Sequence, residues 1–307
     1  METLYLTHAV CRLHEMGAWH PECPERLDAI SDQLLASGVM PWLVERDAAP
    51  ATDAQILRVH DPAYLARLAS EAPAEGYQPI DPDTLMNRHT LDAARLAAGA
   101  GVAAVDAVLG GEANTAFCAV RPPGHHALPD RAMGFCFLNN VAIAARHALE
   151  AHGLSRVAVI DFDVHHGNGT EAMLANDPRV LMCGIFQRGL FPDTGAPPAG
   201  ENMLNVPVPA YAAGPQVRDI VTRDWLPRLD AFRPELVLVS AGFDAHREDE
   251  MGQLGLVEAD YAWITEQVLA VAERHARGRV VSLLEGGYSL SALGRSVVAH
   301  VRVLAKL

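Results

Sequence analysis

Residues 156–169, RVAVIDFDVHHGNG, decide how the rest of the chain is read. The first half is an unbroken aliphatic run, the composition of a strand buried on both faces of a parallel sheet. The second half turns abruptly to acids, histidines and glycines. Three other runs repeat the design: residues 115–120 (TAFCAV) before RPPGHH, 236–240 (LVLVS) before AGFDAH, and 279–284 (RVVSLL) before EGGY. Between them lie segments with helical spacing. Residues 91–109 are rich in Ala and Leu and close on Gly110-Gly111, 141–152 stop before Gly153, and 217–229 and 261–275 carry apolar residues every three or four positions. Alternating strand and helix predicts one α/β domain over residues 1–307, a parallel sheet with helices on both faces. The Pro/Gly-rich stretch 191–215 reads as a long functional loop. Ligands of open parallel sheets sit beyond the carboxyl ends of the strands, where all four runs carry their polar residues.

Composition narrows the function. Of 307 residues half are apolar and a fifth charged, ordinary for a soluble chain with a sizeable core. The balance of 24 basic against 38 acidic residues, net −14 with no local Lys/Arg run, argues against nucleic acid as a partner. The single lysine, Lys306, stands beside the last residue, so no lysine is placed for Schiff-base chemistry. No uninterrupted apolar stretch approaches the roughly 18 residues of a membrane span. The opening METLYLTHAVCRLH lacks a basic-then-apolar export signal, so a cytoplasmic location is expected, with no membrane partner. Five scattered cysteines without a Cys-x-x-Cys pair suit a reducing compartment.

Asp161, Asp163 and His165 alternate along an extended segment and so project to one side. Asp163 and His165 offer oxygen and nitrogen, and Asp244, beyond another strand, adds a third donor. Three protein ligands and an open position are how catalytic Zn²⁺ sites are built, and the same donors suit Fe²⁺. A lone Asp-x-His is more often a hydrogen-bonded pair; three strand-end acids with a histidine reverse that reading. Asp161 is placed to accept from a histidine ring and fix its tautomer. The rigid Arg-Pro-Pro-Gly turn presents His125 and His126, a pair able to take and return a proton. Tyr288, after two glycines, can donate to an oxyanion. Gly134, Phe135 and Phe191 can clasp an apolar chain.

Together these motifs resemble the histone deacetylase superfamily, in particular its class II-like members and the related acetylpolyamine amidohydrolases. The matching pieces are HPECPERL (20–27), RPPGHH (121–126), GFCFLNN (134–140), DFDVHHGNGT (161–170), LFPDTG (190–195), SAGFDAH (240–246) and LEGGY (284–288), in the family's order. The resemblance implies the arginase-deacetylase fold with a central eight-stranded parallel sheet, and zinc-dependent hydrolysis of N-acyl amines. It implies Asp163, His165 and Asp244 as zinc ligands and His126 as general base and acid. His125 and Tyr288 would stabilise charge, with Asp161 behind the histidine pair. Asn168 stands where class II-like enzymes have asparagine. Gly134, Phe135 and Phe191 would form the substrate tunnel, and Arg26 the arginine deep behind it. It also implies K⁺ near Asp161, Asp163 and His165, although Gly184 offers that site no side chain.

The departures lie at the rim. Polyamine-selective relatives place an acid where Met251 stands. Methionine favours an acyl-lysine protein or peptide as substrate, and the adjacent Glu250 keeps an acetylated polyamine as the alternative. A catalytically inactive acyl-lysine reader would have lost a ligand, a histidine or the tyrosine. Oligomeric state is not written in the sequence.

Overall fold

The four apolar runs become the four central strands of one sheet. The computed structural model describes residues 2–307. In chain order its strands are β1 (Thr3–Thr7), β2 (Leu43–Asp47), β3 (Gln78–Pro79), β4 (Leu85–Met86), β5 (Thr115–Cys118), β6 (Val157–Asp161), β7 (Val180–Gln187), β8 (Met203–Val208), β9 (Leu236–Ala241) and β10 (Val280–Leu284). Eight of them form a sheet in the order β2-β1-β5-β10-β9-β6-β7-β8, while β3 and β4 make a small antiparallel hairpin. Every neighbouring pair in the large sheet is parallel. Strands β5, β6, β9 and β10 are buried at every position, as their aliphatic composition requires. Register brings Asp161 opposite Ser240, Ala241 opposite Leu284 and Leu283 opposite Cys118. The four chains therefore leave the sheet at nearly the same height, and the turn beyond each strand meets the turn beyond its neighbour.

Two helical layers cover the sheet. Thr90–Gly110 packs with Asn140–Glu150, and Leu290–Leu304 packs with both Glu25–Ala36 and Glu258–His275. Helix Thr90–Gly110 is long and apolar enough to cross a membrane, yet most of it is buried inside the fold. It ends as its sequence indicates, on Gly111 in the left-handed conformation at φ 82°.

Two expectations need correction. The stretch 191–215 is not loop throughout: β8 lies inside it as an edge strand. Pro207 is tolerated there because one side of an edge strand needs no ladder partner, and its Pro and Asn residues hid the strand. The helix expected at 217–229 runs instead from Gly214 to Phe232 and widens to a π turn over Val221–Trp225, just ahead of Pro227. Proline lacks the N–H of a regular ladder, which gives the wide turn a physical cause.

The tightest helix packing is at Gly99. A Cβ there would overlap the Ala49 carbonyl oxygen and stand 2.6 Å from Ala51 N. Backbone cannot swing aside as a side chain can. Gly99→Val should therefore lower stability by about 2–3 kcal/mol in urea unfolding, the cost typical of an overpacked core.

Candidate active site

The segment after β6 and the turn after β9 bring Asp163, His165 and Asp244 together. One donor atom from each lies within 4.8 Å of the others, and all three residues are buried. His165 Nδ1 is 3.0 Å from Asp163 Oδ1 and 3.2 Å from Asp244 Oδ2. One ring proton cannot serve both acids, and Asp244 Oδ2 is left buried without a hydrogen-bond partner. The neighbouring oxygens are already used. Asp163 accepts from the backbone N–H groups of His165 (2.8 Å) and Gly286 (2.9 Å), and Asp244 Oδ1 accepts from that of Val164 (2.9 Å). Burial, with Asp163 alongside, pushes the Asp244 carboxyl up to about 7. Burial opposes charge on His165, but Asp163 and Asp244 outweigh it and push the ring up to about 10. The site calls for positive charge, and its oxygen, nitrogen, oxygen donor set fits a divalent ion of borderline softness. Gly286 is required beside it, because a Cβ would overlap Asp244 Oδ2.

Two imidazoles stand over this floor with ring centres 4.0 Å apart. His125 Nδ1 lies 3.0 Å from Asp161 Oδ2, and His126 Nδ1 lies 2.7 Å from Asn168 Oδ1. The Asn168 amide nitrogen donates to the Met133 sulfur at 3.4 Å, which turns its oxygen toward His126. An amide oxygen only accepts, so His126 carries its proton on Nδ1 and keeps the Nε2 lone pair. Burial, and then the cationic His125 and His165, depress the His126 pKa well below its usual value. Burial works against charge on His125 too, but Asp163 and Asp161 hold that ring protonated. One neutral and one charged imidazole result.

A cavity of about 240 Å³ opens above, with His126, His165 and Tyr288 toward its base and Gly134, Phe135, Phe191 and Met251 among its walls. Phe191 lies edge-on to His126 at 5.2 Å, and Phe135 edge-on to Tyr288 at 5.9 Å. The Tyr288 backbone N–H donates to Asp249 at 2.6 Å. Burial first, with Asp244 and Asp163 adding to it against Arg26, raises the phenol pKa well above 10, so the hydroxyl remains a donor.

Arg26 lies deep behind the cavity, as the resemblance implies, and not among its walls: it is fully buried, its guanidinium 4.9 Å from the Tyr288 ring centre. Its nitrogens donate to Gly287 O (2.7 Å), Glu285 O (2.5 Å) and Glu22 Oε1 (3.1 Å). All three nitrogens are engaged, so Arg26 clamps the turn that carries Tyr288 and is not placed to touch substrate.

Several contributors went unread in the sequence. Glu285 Oε2 accepts from the backbone N–H groups of Gly124 (2.7 Å) and His125 (3.0 Å), and Oε1 accepts from Ser240 Oγ (2.9 Å). Asp249 takes the N–H groups of Met251 (3.0 Å) and Ser289 (2.9 Å) besides that of Tyr288. Asp81 and Asp83 stand at the cavity mouth. An acid closing an apolar strand just before two glycines was the available signal for Glu285. A second His/Asp group, Asp106, His147 and His152, bridges two helices. Arg58 donates to His147 Nδ1 at 2.8 Å, which leaves the ring proton on Nε2, facing Asp106 at 2.6 Å. That group is a hydrogen-bonded clamp.

Residues 20–304 match the model of the histone deacetylase domain. The chain belongs to the histone deacetylase family. It is 42% identical over 280 residues to a histone deacetylase-like amidohydrolase of Pseudomonas aeruginosa, covering 89% of this chain and 73% of that one. It is 39% identical over 306 residues to the human polyamine deacetylase HDAC10, covering 92% of this chain and 45% of the relative. The crystal structure of the HDA15 HD domain superposes with a TM-score of 0.92 at 32% identity, over 99% of this chain and 90% of that one. The deacetylase domain and the relatives that carry it make this chain a hydrolase of the deacetylase type, built on an eight-stranded parallel sheet.

Elemental analysis of the purified protein should find one divalent ion per chain. Asp244→Ala should lose it, and chelation should lower the Tm of the parent but not that of the variant, since an ion bound only by the folded chain stabilises it.

Proposed function

We propose that this chain is a zinc-dependent amidohydrolase that removes acetyl or other acyl groups from the N-ε position of lysine in proteins or peptides. The observation that carries the reading is that one narrow cavity is lined by a neutral His126, by Tyr288 and by His165, which joins it to the Asp163, His165, Asp244 donor set. Zinc held by those three residues would polarise an amide carbonyl and bring the pKa of water from about 15.7 toward about 7. His126 Nε2 takes the proton of the attacking water, and Asn168 Oδ1 holds the imidazolium that forms. Tyr288 donates to the oxyanion, backed by the positive charge of His125. His126 then returns the proton to the leaving nitrogen as the C–N bond breaks, which releases a free amine and a carboxylate. A potassium ion would rest near Asp161, Asp163 and His165. Gly184, the register partner of Asp161 on β7, adds no side-chain oxygen to it. All five cysteines are free, in keeping with work in the cytoplasm.

Apolar walls and Met251 favour an acyl-lysine side chain. An acetylated polyamine is the second reading, supported by the likeness to a polyamine deacetylase and by Asp81 and Asp83 at the mouth. Glu250 shares a neighbouring hollow with Tyr288 and does not line the cavity itself. Comparing kcat/KM on an acetyl-lysine peptide with that on acetylputrescine and acetylspermidine ranks the two. A large preference for the polyamines reverses the order.

Two substitutions test the mechanism. Tyr288→Phe should keep its metal and lose about 10²–10³ in kcat, the usual cost of one oxyanion donor. Asn168→Asp places an anion against His126 Nδ1 and favours the imidazolium. The neutral ring is the active form, so the acidic limb of the kcat/KM profile should move to higher pH by about one unit or more.

A further inference from the structure

Beside the tunnel mouth lies a second hollow of about 470 Å³ that shares Asp83, Phe135 and Met251 with the tunnel and adds Trp19 and His20. Trp19 is 98% exposed, a large aromatic side chain with almost none of its surface covered by the protein. It stands on an anchored segment. His20 Nε2 lies 3.0 Å from the Asp83 carbonyl oxygen, and the His20 ring is edge-on to Phe135 at 4.6 Å. The charge around the mouth has one sign. The residues lining the tunnel and the two hollows beside it include Asp81, Asp83, Glu248, Asp249 and Glu250, and no lysine or arginine. Three of these acids are already engaged: Glu248 with Arg295 at 2.9 Å, Asp249 with backbone N–H groups, and Asp81 with the N–H groups of Asp83 and Thr84. The exposed Asp83 carboxylate has no ion-pair partner among the described residues, and it lines the same hollow as Trp19.

An indole face and a free carboxylate around one depression suit an organic cation, the first through its π quadrupole and the second through its charge. We infer that Trp19 and Asp83 form a subsite for a positively charged group of the substrate lying outside the tunnel, next to the acylated arm. This inference rests on the deacetylase reading and deepens it. The cation has two sources with one chemistry: an arginine or lysine flanking the acyl-lysine in a peptide, or the distal ammonium of an acetylated polyamine. Trp19 and Asp83 would act on substrate binding and leave the bond-breaking groups alone, so their effect belongs in KM.

The test uses the metal-loaded full chain and three substrates: an acetyl-lysine peptide with neutral flanks, the same peptide with arginine on each side, and acetylspermidine. The arginine-flanked peptide should exceed the neutral one in kcat/KM by about three- to thirtyfold at low salt, through KM. That ratio should shrink as ionic strength rises. Trp19→Ala and Asp83→Asn should each bring it toward one. Trp19 is on the surface and Asp83→Asn is isosteric, so folding is not at stake. If acetylspermidine shows the larger loss in both variants, the polyamine is the source; if the arginine peptide does, the peptide flank is. Equal kcat/KM for the two peptides in the parent enzyme together with acetylspermidine turnover that neither substitution lowers, or a peptide preference that survives both substitutions, overturns the subsite while the neutral peptide still reports a working deacetylase. No turnover of any of the three overturns the deacetylase reading as well.

Discussion

Four carboxyl groups, those of Asp161, Asp163, Asp244 and Glu285, are buried together beyond the ends of three adjacent strands, and the rest of the molecule is arranged to make that tolerable. Like charges in a medium that screens poorly repel strongly, and each has given up water. The chain answers with donors. Asp161 receives a histidine ring and a backbone N–H, Asp163 two backbone N–H groups, and Glu285 two more and a serine hydroxyl. Only Asp244 keeps an oxygen that the protein does not satisfy. The parallel sheet makes the gathering possible, since β6, β9 and β10 are neighbours and end level with one another.

The same crowding explains how two adjacent histidines, joined by one peptide bond, come to differ. His125 faces a carboxylate behind it and two acids nearby, and burial cannot keep it neutral. His126 faces an amide, which accepts the Nδ1 proton without offering the negative charge that would favour a second one. The difference between aspartate at 161 and asparagine at 168 thus sets which ring is a fixed charge and which exchanges a proton.

What could be read in the sequence tracks the strength of the local signal. The central strands, buried on both faces, are unbroken aliphatic runs and were legible to within one or two residues. The edge strands β2 and β8 carry mixed or proline-containing sequences, and their pairing is decided by neighbours far along the chain; β7 is apolar and buried at every position, but Gly184 interrupts its run. The polar groups facing the cavity were legible because they cluster at strand ends. The depth of Arg26 was legible from the resemblance but its role was not, because a buried arginine near an active site reads alike whether it faces a ligand or a backbone turn; its two carbonyl partners and one carboxylate partner distinguish the two. Glu285 and Asp249 escaped because backbone N–H groups are their partners, and every residue but proline has one.

Glu285 stands just beyond β10's end, yet it grips the successive backbone N–H groups of Gly124 and His125 and the hydroxyl of β9's Ser240. The placement of the imidazoles is thus inherited from the length of a side chain beyond a different strand. Aspartate at that position would preserve the charge and shorten the strut by one methylene, drawing the histidine turn inward or letting it go slack. In this architecture chemical conservatism and mechanical conservatism part company: the span of an acid matters as much as its acidity.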